Sequence, residues 1–105
     1  MSTDTTPVIV RIFALPMKAC DPSKSWQSAA SIIARRLREK YGTAVETEFI
    51  EIFTPESFKY PEILSLLEKG ENAPPYVTVN GSLVQSGGKL SERHIREYLQ
   101  EIGIL

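Results

Sequence analysis

Apolar residues along this chain fall into blocks with two different periods. Val8 to Ala14 (VIVRIFA) is a nearly unbroken run of β-branched, aliphatic and aromatic side chains. Such a run predicts a strand covered on both faces. A loop over Leu15 to Ala19, containing Pro16, comes next. Asp21-Pro22 then predicts a helix start. Aspartate accepts from the orphan N–H groups of a first turn, and proline suits the first helical position, where its missing N–H would have no partner anyway. Trp26, Ala29, Ala30, Ile33, Leu37 and Tyr41 follow at helical spacing and form one apolar face. Gly42 is placed to end that helix.

Val45 to Phe53 (VETEFIEIF) predicts a second strand. Alternation puts Val45, Thr47, Phe49, Glu51 and Phe53 on one face and Ile50 and Ile52 on the other. Thr54-Pro55-Glu56 is another cap-like start, interrupted by Pro61. The regular helix is therefore expected over Pro61 to Lys69, with Ile63, Leu64, Leu66 and Leu67 as its apolar set and Gly70 at its end. Tyr76 to Asn80 and Ser82 to Ser86 flank Asn80-Gly81. Asn-Gly between two strand-like runs signals a tight hairpin, because such turns require positive φ. Gly87-Gly88 follows, and Ser91 caps a last helix whose inward face is Ile95, Tyr98, Leu99 and Ile102. The order is β-α-β-α-β-β-α. A strand–helix–strand unit implies parallel pairing with a right-handed crossover. The expected fold class is α/β, with a central four-stranded mixed sheet flanked by helices.

Composition narrows the function. The 105 residues suit one domain, expected over 8–105 after a tail at 1–7. A net charge of −1 argues against a nucleic-acid partner, which calls for a concentrated basic surface. Arg35, Arg36, Arg38 and Lys40 read as a solvated helix end that complements the dipole. No apolar run approaches the roughly 18 residues that span a bilayer. The start of the chain lacks the basic-then-apolar order of a signal peptide, so no membrane partner and a cytoplasmic location are expected. The one cysteine, Cys20, cannot close an internal disulfide and supplies too few ligands for a structural zinc site. Met17 and the single histidine, His94, do not add enough ligands for a metal site, so none is expected. The sequence does not set the oligomeric state.

The junction residues carry a resemblance. Cys20-Asp21-Pro22-Ser23-Lys24 lies between the first strand and first helix, Pro75 precedes the third strand in APPYVTVNG, and Gly87-Gly88 follows the fourth. In that order they resemble the thioredoxin-like superfamily, and its small glutaredoxin-like branch in particular, over roughly Val8 to Leu105. The resemblance implies a C-x-x-C site with Ser23 in the second cysteine's place, a cis-proline at Pro75 beside the thiol, and a glycine pair that helps hold glutathione. Three features depart from the family pattern. The loop from Phe13 to Cys20 is longer than the family's usual strand-to-cysteine spacing. Ala19 replaces the aromatic residue before the cysteine. Pro74 stands where the family uses a backbone N–H to pair with a bound thiol peptide, and proline has none. A second register, Met17-Lys18-Ala19-Cys20, gives Cys20 the inner place of the site but sets Pro22 inside the helix.

The chemistry this implies centres on the thiolate of Cys20, the nucleophilic form. A helix N-terminus lowers a thiol's pKa through its unpaired N–H groups and dipole. Lys18 would add attraction and Asp21 would oppose it. Ser23 can donate a hydrogen bond to a thiolate but cannot take part in disulfide exchange. The expected enzyme is therefore a monothiol thiol–disulfide oxidoreductase with Cys20 and Ser23 as catalytic residues. Pro74, Pro75, Tyr76, Gly87 and Gly88 form its substrate-binding set. Protein thiols, disulfides or glutathione are its partners, glutathione being a co-substrate and no cofactor resident. The alternative is a non-catalytic interaction module on the same fold, with Cys20 a small buried apolar residue.

Overall fold

Val8–Ala14 forms the strand β1, with parallel pairing on one side and antiparallel pairing on the other. The computed structural model describes residues 7–15, 26–70, 74–88 and 90–103. After β1 come α1 (Trp26–Tyr41), β2 (Val45–Glu51), α2 (Pro61–Lys69), β3 (Tyr76–Val79), β4 (Ser82–Ser86) and α3 (Glu92–Glu101). Short 3-10 turns at Gly42–Ala44 and Pro55–Lys59 lead into β2 and α2. The sheet order is β2-β1-β3-β4. β2 runs parallel to β1, β3 antiparallel to β1, and β4 antiparallel to β3. The described residues thus form an α/β fold with a four-stranded mixed sheet and three helices.

Alternation along β1 explains the layers. Val8, Val10 and Ile12 face one way and join Ala30, Ile33 and Leu37 of α1, Ile95 and Leu99 of α3, and Val77 and Val79 of β3. Phe13 faces the other way and packs with Ile50, Ile52, Tyr76 and Ile63 of α2. Helices α1 and α3 therefore cover one face, and α2 covers the end of the other. A strand buried on both faces needs apolar residues at nearly every position, which is what VIVRIFA supplies. Its one charged residue, Arg11, bonds Glu48 through Nε at 2.8 Å and lies 4.9 Å over the Tyr60 ring.

Local chemistry fixes the ends of these elements. Gly70 closes α2 with φ 69° and returns its N–H to the Leu67 carbonyl. Asn80 (φ 49°) and Gly81 (φ 88°) both take positive φ in the hairpin turn. Asn80 also extends the β1–β3 ladder: its N–H donates to the Ile9 carbonyl and its Oδ1 accepts from the Ile9 N–H, both at 2.9 Å. Ser91 caps α3 by accepting from the His94 N–H at 3.2 Å.

Three expectations need correction. β2 ends at Glu51, not Phe53: Ile52 is buried, but Phe53 turns away with φ 71° and stands 62% exposed. The Thr54 hydroxyl, 2.6 Å from the Glu51 carbonyl, takes the acceptor that a continuing strand would leave to its neighbour or to water. β3 ends at Val79, because Asn80 is used in the turn. Ile102 does not join the inward face of α3. It lies past the last turn and is 44% exposed, whereas Ile95 and Leu99 are fully buried. The Asp21-Pro22 helix start and the 1–6 part of the tail lie outside the described residues.

Candidate functional site

The strand register brings four chain ends together. Ala14 pairs with Glu51, Phe13 with Tyr76, and Tyr76 with Ser86, so the end of β1, the end of β2, the start of β3 and the end of β4 share one end of the sheet. The Ile52 N–H donates to the Ala14 carbonyl at 2.9 Å and carries the β1–β2 pairing one residue further. This is the carboxyl end of the parallel pair, where loops of α/β sheets usually form ligand sites.

Pro75 lies at this end, immediately before β3. The peptide joining it to Pro74 is cis, as the resemblance implied. The Pro75 ring is fully buried and Pro74 is half-buried. Gly87 and Gly88 leave β4 at the same end, with φ 75° and 67°. The Gly87 N–H donates to the Pro75 carbonyl at 2.9 Å, so the glycine turn and the proline are tied directly together. Gln85 secures the turn from the α3 side. Its Oε1 accepts from the Ser91 N–H at 3.3 Å, and its Nε2 lies 3.5 Å from the Gly87 carbonyl. A polar side chain in a half-buried strand was the only sign of Gln85 in the sequence, and its role was missed there.

Tyr76 differs from the other members of the expected set. Its ring is fully buried among Phe13, Ile50, Ile52 and Ile63, and burial pushes its phenol above the usual tyrosine range. Cys20 and Ser23, with Met17 and Lys18, lie outside the described residues. Their connection leaves Leu15, which follows the last residue of β1, and re-enters the described chain at Trp26.

Two concavities among the described residues lie elsewhere. One of about 600 Å³ runs between α1 and β2, and one of about 340 Å³ lies between α2 and the β3–β4 hairpin. The cluster Arg35, Arg36, Arg38 and Lys40 is exposed, and Arg36 pairs with Glu92 of α3 at 3.3 Å. His94 is exposed and gives its backbone, not its ring, to the Ser91 cap. No helix among the described residues is long and apolar enough to cross a membrane.

No protein-family model matches the sequence, and no curated protein matches it. Solved structures share the fold. A crystal structure of a Staphylococcus aureus protein of unknown function superposes with a TM-score of 0.70 at 14% identity, covering 91% of both chains. The structure of a malarial protein superposes with a TM-score of 0.50 at 12% identity, covering 91% of this chain and 97% of that one. At such identities the likeness concerns the fold alone.

Proposed function

We propose that this chain is a thioredoxin-like domain acting as a monothiol thiol–disulfide oxidoreductase, with Cys20 as nucleophile. One observation carries the reading. The connection that holds Cys20 begins at the sheet end where Pro75 and the Gly87–Gly88 turn are bonded to each other. The four-stranded mixed sheet with one parallel pair is compatible with this reading.

In this reaction the Cys20 thiolate attacks one sulfur of a substrate disulfide. The old S–S bond breaks, a mixed disulfide forms, and the departing sulfur leaves as a thiolate that takes a proton from water. A second thiol then attacks the Cys20 sulfur of the mixed disulfide, forms a new disulfide with Cys20 and releases the other substrate sulfur as a thiol. A third thiol attacks the sulfur of the second, forming a disulfide between the two incoming thiols and releasing the Cys20 thiolate. Both incoming thiols come from a partner protein or a small molecule of the glutathione class, since Ser23 cannot supply them. The two electrons that reduce the substrate come from these two thiols, which leave oxidised as their disulfide.

A second reading, a non-catalytic interaction module, draws on the same sheet end. Pro74 has no N–H to offer a bound peptide, and the Gly87 N–H is committed to Pro75. Two backbone donors of a glutathione cradle are thus not open to a ligand. The rate of Cys20 alkylation by iodoacetamide against pH, native and unfolded, decides between the two. A native midpoint well below about 8.5, the ordinary cysteine value, is expected for the oxidoreductase. A midpoint at or above it, or labelling only after unfolding, leaves the interaction module.

A further inference from the structure

The two edges of the sheet are built differently. β4 is five residues long, follows Gly81, leads into Gly87, and has a register irregularity opposite Val77 and Thr78. Short, bulged edges resist pairing with other chains. β2 is seven residues long and pairs with β1 in unbroken register from Val45 to Glu51. It contains no proline, glycine or bulge, and nothing among the described residues pairs with its outer side.

The open groove of about 600 Å³ runs along this outer side. Its lining includes Arg35 and Arg38 of α1, Thr43 before the strand, and Glu46, Thr47 and Glu48 of β2. The two kinds of charge lie on opposite faces. Glu46 and Glu48 share the α2 face with Ile50, while Thr47 shares the α1 face with Val45. Glu48 is held by Arg11. Glu46, Arg35 and Arg38 are exposed and make no ion pair among the described residues.

We infer that the outer edge of β2 binds an extended segment of a partner protein as a fifth strand, and that the segment carries basic side chains on the face beside Glu46. The backbone of β2 supplies the ladder bonds, and alternate side chains supply the selectivity. A lysine or arginine of the incoming strand beside Glu46 makes a favourable cross-strand pair. Acidic or hydroxyl side chains on its other face meet Arg35 and Arg38. A second copy of this chain is the wrong occupant. In an antiparallel pairing centred on Thr47, Glu46 of each copy faces Glu48 of the other, and like charges directly opposite destabilise. The same glutamates that block self-pairing thus favour a basic strand. The groove borders the first half of β2, away from the sheet end that carries Pro75, so this inference stands apart from the oxidoreductase reading.

The test uses the full chain and capped seven-residue peptides that alternate threonine with lysine or with glutamate. The lysine peptide is expected to bind and to shift the amide resonances of Val45–Glu51. Replacing Glu46 by lysine should weaken it by roughly five- to tenfold and raise binding of the glutamate peptide. Glu46 is exposed and makes no ion pair among the described residues, so this variant keeps the fold, and Glu46→Gln gives an intermediate check. A lysine peptide with alternate backbone amides N-methylated keeps its charge but loses the ladder, and it should bind at least several-fold more weakly. Equal binding of the methylated peptide, indifference to Glu46→Lys, or concentration-dependent self-association through Val45–Glu51 would each overturn the inference.

Discussion

Phe53 is a bulky residue in a conformation that L-residues avoid. A left-handed φ costs a non-glycine residue about 1–2 kcal/mol, and the exposed ring recovers little of that by burial. Phe53→Gly removes the penalty, while glycine's freedom in the unfolded chain costs up to about 1 kcal/mol. The expected result in urea unfolding is unchanged or slightly raised stability, with Phe53→Ala no better than wild type. A loss above about 1 kcal/mol for Phe53→Gly would mean that the ring packs more than its exposure indicates. Tyr76 presents the opposite case, a polar group held inside. Burial raises its pKa, so the unfolded chain gives up this proton at lower pH than the folded one. The contribution is fully present below about pH 10, the unfolded tyrosine value, and is lost as pH rises through the higher folded value. Stability should therefore fall with rising pH above about 10, less steeply in Tyr76→Phe, as thermal unfolding across an alkaline series will show.

The elements that follow local chemistry were legible in the sequence. β1 and α2 begin and end where the patterns of VIVRIFA and PEILSLLEK begin and end, because the flanking Pro7, Leu15-Pro16, Pro61 and Gly70 break the backbone pattern. Asn80-Gly81 announced the hairpin for the same reason. What it did not announce is the second task of Asn80, which bonds Ile9 on β1 far away in the chain. Asn80→Ala loses that acceptor and places an unsuited residue at positive φ. It should cost about 1–2 kcal/mol in urea unfolding, whereas Asn80→Gly keeps the turn and should cost about half as much. Equal costs would mean that the positive φ carries no penalty for alanine, and no cost at all for Asn80→Gly would mean that the Ile9 bond contributes nothing. The end of β2 was not legible, since apolar residues continue through Phe53 and the turn is marked by the Thr54 bond to Glu51. The candidate site was half legible. Pro75 and Gly87-Gly88 stand out as residues, but their hydrogen bond depends on β3 and β4 pairing in one register. The strand edge was hidden, because which strand lies outermost is a property of the sheet order and not of any segment.

At the scale of the molecule, the described residues form two apolar clusters that share one sheet. The larger is sealed by α1 and α3, and the smaller by α2, directly behind the sheet end that carries Pro75. Leu37 is fully buried in the first and Ile63 almost so in the second. Truncating either to alanine should cost about 2–5 kcal/mol, a large part of the roughly 5–15 kcal/mol that holds such a domain together. The clusters are not independent, because Ile12 and Phe13, neighbours on β1, point into different ones. Loss of packing on either face therefore loosens the same central strand. Both variants should lose secondary and tertiary structure in one transition, with near- and far-ultraviolet circular dichroism tracing a single curve. An earlier loss of the near-ultraviolet signal in Ile63→Ala alone would show that α2 and the Tyr76 end of the sheet open separately. The Pro75–Gly87 junction would then belong to a locally unstable unit, and a ligand binding there would have to order it first.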